Sequence, residues 1–292
     1  METRDGKGRQ DNEEAARSGH RRGEGFALSR SEEKEVERKL PPSVQVLHET
    51  IRIQGDLEMS RSASALAWSA LAAGLSMGFS MLVPALLHAH LPDVPQRFLI
   101  DKLGYTVGFL VVILARQQLF TENTMTAVLP FMTKPGFRTL LRLLRLWGIV
   151  FAGNIVGGAL FAYGVGHMQL LEPSTREAML SAGAEMMRNS VVQMFTKGIV
   201  AGWLIATMVW LATAAQSAKT LVILLMTWLV GVGGFAHIIV GSIEGLFLVF
   251  EGRLPFATYL TAFMLPTLAG NIVGGSLIFA LISHAQVRSD DA

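Results

Sequence analysis

A histidine and a threonine are the residues whose types and surroundings could do chemistry, because both interrupt apolar stretches. His237 follows the glycine-rich run 231–234, and Thr121 lies in the polar segment 120–124. A hydroxyl and an imidazole donate hydrogen bonds, and an imidazole also exchanges a proton near neutral pH. Such groups could therefore have a functional rather than a structural role. A histidine that is simply hydrogen-bonded inside a core is the alternative.

A duplicated motif indicates how these residues could be positioned. The sequence Gly-Asn-Ile-Val-Gly-Gly occurs at 153–158 and again at 270–275. Glycines four residues apart allow a second helix to approach closely. The amides of Asn154 and Asn271 would need hydrogen-bond partners in apolar surroundings. We therefore expect both asparagines to support nearby irregular backbone.

The composition indicates a membrane protein rather than a soluble domain. Of the 292 residues, 51% are hydrophobic and 16% are charged, whereas soluble domains have about 25% charged residues. Residues 1–61 carry 12 of the 25 Lys and Arg and 13 of the 23 Asp and Glu, so the chain is a polar tail joined to an apolar body. The body has six apolar stretches of a length suited to crossing a bilayer: 63–88, 103–119, 143–166, 191–215, 221–250 and 256–283.

These stretches predict an all-α membrane protein with six transmembrane helices in residues 62–285. The duplicated motif falls in the third and sixth helices, so the chain is expected to form two inverted three-helix repeats, as transport proteins often do. Polar and glycine-rich interruptions predict that helices 2 and 5 are broken. Irregular backbone at this depth is tolerated where it is buried or lines a wet cavity.

The flanking segments and the orientation follow from charge. Residues 1–40 are expected to be a disordered cytoplasmic tail, 41–61 an amphipathic interfacial helix or a simple solvated lead-in, and 286–292 a short C-terminal tail. Basic residues after the second stretch, such as Arg138, and Lys219 before the fifth place both termini in the cytoplasm. A multi-pass protein of a bacterial-type inner membrane, in contact with lipid, is the expected location.

Several other classes of function lack their motifs. The chain has no cysteine, phosphate-binding glycine loop or catalytic serine motif. His88 and His90 have a spacing seen in metal sites, but no third ligand accompanies them. The tail balances its basic residues with acids, which argues against a nucleic-acid partner. We therefore expect no enzyme activity, no cofactor, no metal and no nucleic acid.

The segments 119–121 and 234–237, together with the two Gly-Asn motifs, resemble the formate/nitrite transporter family. The long charged tail is similar to that of the YfdC-type branch of the family. The resemblance implies an aquaporin-like protomer, a homopentamer and one pore in each protomer. It also implies that Thr121 and His237 face each other inside the pore, between two hydrophobic constrictions.

The same resemblance assigns apolar residues to the two constrictions. Leu119, Phe120 and Val230 would belong to the outer one, and Tyr105 and Phe109 to the inner one. Ordinary helix packing is the alternative for each of them.

This chain departs from the family pattern on the approach to the pore. Where transporting members have a lysine before the fourth helix and an asparagine within it, the nearest residues here by spacing are Arg188 or Met187, and Trp203. A tryptophan in the path would alter or close the pore.

Acidic residues are a second departure. Glu122 follows Thr121, and Glu244 comes seven residues after His237. Glu122 could contact substrate or play a structural role, for example by pairing with Arg116. Lys197 and Glu244 are expected at helix ends or subunit contacts.

The predicted function is transport of small monovalent weak-acid anions by a channel or a proton-linked transporter, formate and nitrite being the class that the resemblance implies. A bare anion loses its hydration in an apolar pore, at a cost of many kcal/mol. A proton supplied through His237 would let the acid cross neutral, so flux should rise as external pH falls. The alternatives are a pore for small neutral solutes or another monovalent ion, and a non-conducting platform whose tail recruits a partner.

Overall fold

The structure, a computed structural model, describes residues 28–40 and 42–290. The chain divides into two units, residues 1–41 and 42–292. In the first unit, helix α1 is Arg30–Lys39. The Ser29 hydroxyl accepts from the Glu32 N–H while the Glu32 carboxylate accepts from the Ser29 N–H. This capping box satisfies two backbone donors and starts a helix within the tail that was expected to be disordered; residues 1–27 of that tail lie outside the described residues.

The second unit is helical throughout its described core. Its helices, in chain order, are α2 (Val44–Ser60), α3 (Ala63–Met77), α4 (Phe79–His90), α5 (Arg97–Gly104), α6 (Thr106–Leu114), α7 (Phe120–Thr126), α8 (Val128–Thr133), α9 (Phe137–His167), α10 (Pro173–Met186), α11 (Val191–Ala214), α12 (Lys219–Val232) and α13 (Ile238–Phe250). The last run, α14, comprises Phe256–Thr258, the π-helical Tyr259–Met264, Leu265–Ile272, the π-helical Val273–Ala280 and Leu281–Asp290. No glycine or proline occurs after residue 275, so the helix continues into the segment expected to be a tail from residue 286.

Four helical runs are long and apolar enough to cross a membrane. They are Ala63–His90, Phe137–His167, Val191–Ala214 and Phe256–Ser289. The runs Gln216–Val232 and Ile238–Phe250 are apolar but shorter. The chain leaves the helical conformation at 115–119 and again at 233–237, where the sequence has its polar and glycine-rich interruptions.

The duplicated glycines bring pairs of helices together. Gly157 of α9 packs so closely on α3 that a Cβ there would clash with the Leu71 carbonyl. Gly274 of α14 packs in the same way on α11, against the Ile199 carbonyl. Glycine is the residue that permits such backbone contact, so each copy of the motif fixes one long helix against its neighbour.

Helix α2 is amphipathic. It buries Leu47, Ile51 and Met59, while Arg52 on its polar side pairs with Glu49. His48 is also buried, and this burial lowers the pKa of its imidazole. Its Nε2 lies 3.0 Å from Nδ1 of His284 in α14. The helix therefore lies against the bundle rather than in free solution.

Candidate functional site

Asn154 on α9 holds the non-helical segment 115–119. Its Oδ1 accepts from the Phe120 N–H at 2.9 Å, and its Nδ2 donates to the carbonyls of Gln118 and Ala70, each at 2.8 Å. The side chain is fully buried. The amide thus pairs backbone groups that the interrupted helix leaves without a partner.

Asn271 on α14 does the same for the segment before α13. Its Oδ1 accepts from the Ile238 N–H at 3.0 Å, and its Nδ2 donates to the carbonyls of Ala236 at 2.8 Å and Gly198 at 2.9 Å. Both amides therefore accept one backbone N–H at the start of a helix and donate to one carbonyl of the loop and one of a neighbouring helix.

The two loops differ by one residue. The asparagines are 117 residues apart, whereas the N–H groups that they bind, those of Phe120 and Ile238, are 118 apart. Leu119 and His237 are therefore the equivalent residues, each preceding its helix. A constant offset along the sequence would instead pair Phe120 with His237, which is one residue out of register.

Thr121 and His237 meet between these loops. The Thr121 Oγ1 lies 2.8 Å from the His237 Nε2, and the two residues are 0% and 2% exposed. The Val240 N–H donates to the His237 Nδ1 at 3.4 Å, and the Phe109 ring packs edge-on at a centroid distance of 4.9 Å. With Nδ1 accepting, a neutral imidazole carries its hydrogen on Nε2 and donates it to the threonine. The threonine hydroxyl hydrogen is then free to reach another acceptor.

Two cavities with different lining residues lie next to this contact. The first, the His237 cavity, has a volume of about 680 Å³ and is lined by His237, Lys197 and Glu244 among others. The second, the Glu122 cavity, has a volume of about 300 Å³ and includes Leu119 and Glu122 in its wall. No described residue lines both cavities. His237 thus belongs to the wall of one cavity, whereas Leu119 and Glu122, on either side of the Phe120–Thr121 pair in sequence, belong to the wall of the other.

The apolar residues assigned to the two constrictions lie in different surroundings in the structure. Tyr105 and Val230 line the His237 cavity together, whereas Leu119 lines the Glu122 cavity. Phe109 lines neither cavity and contacts the imidazole. Phe120 also lines neither.

The Phe120 ring instead packs against aromatic residues of α9. Its centroid lies 5.8 Å from that of Trp147 and 5.1 Å from that of Phe151. Its backbone N–H, bound by Asn154, is the part of this residue that supports the site.

Trp203 lies outside both cavities. Trp203 is 48% exposed and is not part of either cavity wall. The preceding residue, Gly202, faces inward and packs against the Asn271 backbone. Because successive helical residues point in different directions, the large ring is directed away from the loops.

Lys197 is the cation that the sequence reasoning did not place at the site. It lines the His237 cavity, and its Nζ donates to the Asn189 Oδ1 at 2.7 Å. Lys197, and not Arg188 or Met187, is the residue on the approach to His237, since neither of those two lines the cavity. Its position four residues before the buried Ala201, on the same face of the helix, was the available signal.

No group of three or more His, Asp and Glu side chains suited to a metal occurs in the described ranges. The His88 Nδ1 lies 2.9 Å from the Asp101 Oδ2, and the His90 Nδ1 contacts the Leu86 carbonyl. The two histidines thus have separate partners.

Comparison with known proteins places this chain in a family. The sequence model described as "Formate/nitrite transporter" matches residues 45–285. The chain is 51% identical over 267 residues to "Inner membrane protein YfdC" of Escherichia coli (strain K12), covering 89% of this chain and 86% of that one. It is 26% identical over 210 residues to "Formate channel BtFdhC" of Bacillus thuringiensis, covering 69% and 78%.

Solved structures have the same fold. A "Pentameric formate channel with formate bound" superposes with a TM-score of 0.68 at 21% identity, covering 78% of this chain and 98% of that one. An "FNT family ion channel" superposes with a TM-score of 0.72 at 20% identity, covering 82% and 98%. These matches confirm the predicted resemblance. The chain belongs to the formate/nitrite transporter family, whose members are channels and transporters rather than enzymes.

Proposed function

We propose that this chain conducts small monovalent weak-acid anions of the formate and nitrite type, as a channel or a proton-linked transporter. The observation that carries the proposal is the 2.8 Å contact between Thr121 and His237, buried between two cavities. The names of the related formate channels support this substrate class.

The contact supplies what a dehydrated anion needs. Lys197 in the wall of the His237 cavity attracts an anion toward the imidazole. The Thr121 hydroxyl then offers a hydrogen bond to the anion, while His237 exchanges a proton with it. An acid that has gained a proton crosses the apolar surroundings of Phe109 without the cost of a buried charge.

The proposed architecture has six membrane spans in two inverted halves, with α6–α7 and α12–α13 as the two interrupted spans. The paired hydrogen bonds of Asn154 and Asn271 support this symmetry. Lys219 lies at the short loop before the fifth span, and an excess of basic residues is typical of cytoplasmic loops. Because Lys219 lines the Glu122 cavity, this cavity faces the cytoplasm and the His237 cavity faces the outside. The name of the E. coli relative supports an inner membrane location, and the pentameric neighbour supports a homopentamer in lipid.

Uptake into proteoliposomes tests the proposal. Formate and nitrite uptake by the wild-type protein should rise as external pH falls, and His237→Phe should reduce it to the level of empty liposomes. His90→Phe is the matched control, since His90 is an exposed histidine that lines neither cavity. Uptake by His237→Phe equal to that of the wild type would contradict the proposal.

Two acidic residues, one in the wall of each cavity, favour a second candidate, a pore for small neutral solutes or another monovalent ion. Glu244 lines the His237 cavity and Glu122 the other one, so each approach carries negative charge. Glycerol uptake that is indifferent to His237, with no formate uptake, would support this candidate. A protein that moves none of these solutes would support a non-conducting platform.

A further inference from the structure

Glu122 is the acid of the Glu122 cavity that has no bonded partner. The other acid in that wall, Glu58, forms an ion pair with Arg61 at 2.9 Å and accepts from the Gln118 Nε2 at 2.7 Å. The Glu122 carboxylate makes no hydrogen bond or ion pair with any residue that the structure describes. It directly follows Thr121, whose hydroxyl contacts the imidazole.

The charged groups that face Glu122 come from three directions. Glu58 faces the cavity from α2, Arg116 from the segment before α7, and Lys219 from the start of α12. Neither cation lies within 4.0 Å of the Glu122 carboxylate. Its charge therefore acts on whatever enters the cavity, because no close counter-ion neutralises it.

We propose that Glu122 determines the selectivity of this end of the pathway. While charged, it repels an anion that approaches Thr121 through the Glu122 cavity; once it holds a proton, the anion can enter. This inference rests on the proposed function, since it requires a weak-acid substrate.

The same residue couples exit to proton release. A neutral acid that has passed His237 gives the proton of its O–H group to a carboxylate oxygen of Glu122. The acid becomes an anion, which leaves past Arg116 and Lys219, and the protonated Glu122 then returns the proton to water. One proton and one anion leave in each cycle, so the charges balance.

Transport from each side separately tests this proposal. Right-side-out and inside-out membrane vesicles from a host without its own formate channels expose opposite cavities to the bath. For the wild type, formate uptake through the Glu122 cavity should fall as the bath pH rises. Glu122→Gln should raise that uptake at high pH about tenfold, the factor that a like charge roughly 10 Å away imposes at an effective dielectric constant of about 20. Its uptake in vesicles of the other orientation should keep the wild-type pH profile.

Three further variants make the test specific. Glu122→Asp should retain the pH dependence, because it retains the carboxylate. Lys219→Gln should lower uptake through the same cavity, because it removes a cation while the acid remains. Glu177→Gln is the matched control, since Glu177 is an exposed acid that lines neither cavity.

The outcomes separate this inference from the function on which it rests. If the wild type carries formate but Glu122→Gln has the wild-type pH profile on both sides, the role of Glu122 is wrong and the proposed function stands. If the wild type carries no formate, the proposed function fails first. Should Glu122→Gln not enter the membrane, Lys219→Gln still decides, and uptake equal to the wild type would overturn the proposal.

Discussion

Replacing Asn271 by leucine removes three hydrogen bonds with little change of shape. The Ile238 N–H and the carbonyls of Ala236 and Gly198 lose their partner, at present distances of 2.8 to 3.0 Å. Each buried group left unpaired costs about 1–3 kcal/mol, and interhelical bonds within membranes average about 0.6 kcal/mol. For three groups we therefore expect Asn271→Leu to lower the free energy of unfolding by about 2–9 kcal/mol.

The measurement is the unfolding transition in mixed micelles, combined with formate uptake. Asn154→Leu should have an effect of similar size, because its amide makes the same three types of bond. Asn271→Asp keeps the acceptor for Ile238 but sets a charged oxygen against two carbonyls, so it should be no more stable than the leucine variant. Thr261→Val, an exposed change whose hydroxyl binds only its own helix, is the control.

The result that refutes this reasoning is specific. If Asn271→Leu unfolds within about 1 kcal/mol of the wild type and transports normally, the amide does not hold the loop. The position of His237 would then depend on something other than these bonds.

Three other predictions follow from the packing. Gly202→Ala should destabilise the protein because its Cβ would clash with the Asn271 backbone, whereas Gly148→Ala, which has open space, should be neutral or gain up to about 1 kcal/mol in the same unfolding assay. Burial lowers the pKa of His48, so docking of α2 is complete above about pH 6.5 and weakens as the pH falls, which hydrogen exchange of that helix measures. Trp203→Ala should leave formate uptake within about twofold of the wild type, because the residue lines neither cavity; a tenfold change would contradict this placement.

Two parts of the site could be predicted from sequence because they follow from a physical requirement. An amide in apolar surroundings needs partners, so the duplicated Asn154 and Asn271 pointed to the interruptions that they hold. Thr121 and His237 came from the family resemblance together with their interruption of apolar stretches. The 2.8 Å contact between them depends on the tertiary structure and cannot be inferred from their separation of 116 residues in the sequence.

Other parts required the tertiary structure. Hydropathy does not report which side of a helix faces a cavity, so Lys197 was expected at a helix end or a subunit contact and Trp203 in the pore. The periodicity of small residues, Gly198 and Gly202 on one face of α11, does carry that information, since both pack against α14. The one-residue difference between the loops is invisible to a repeat search, because the motif used to align the halves lies outside them.

The presence of Leu119 in one half and His237 at the equivalent position of the other explains how a duplicated scaffold yields an asymmetric site. Each asparagine binds the N–H of the first helical residue, which fixes the preceding residue at the mouth of its loop. In one half this residue is Leu119, which can only exclude water. In the other it is His237, which can exchange a proton. Under the proposed function, only the half that carries the histidine supplies a proton, and Thr121, in α7 of the other half, lies 2.8 Å from that imidazole. Exchanging only the side chain at position 237 should consequently abolish proton exchange while leaving both asparagine networks intact.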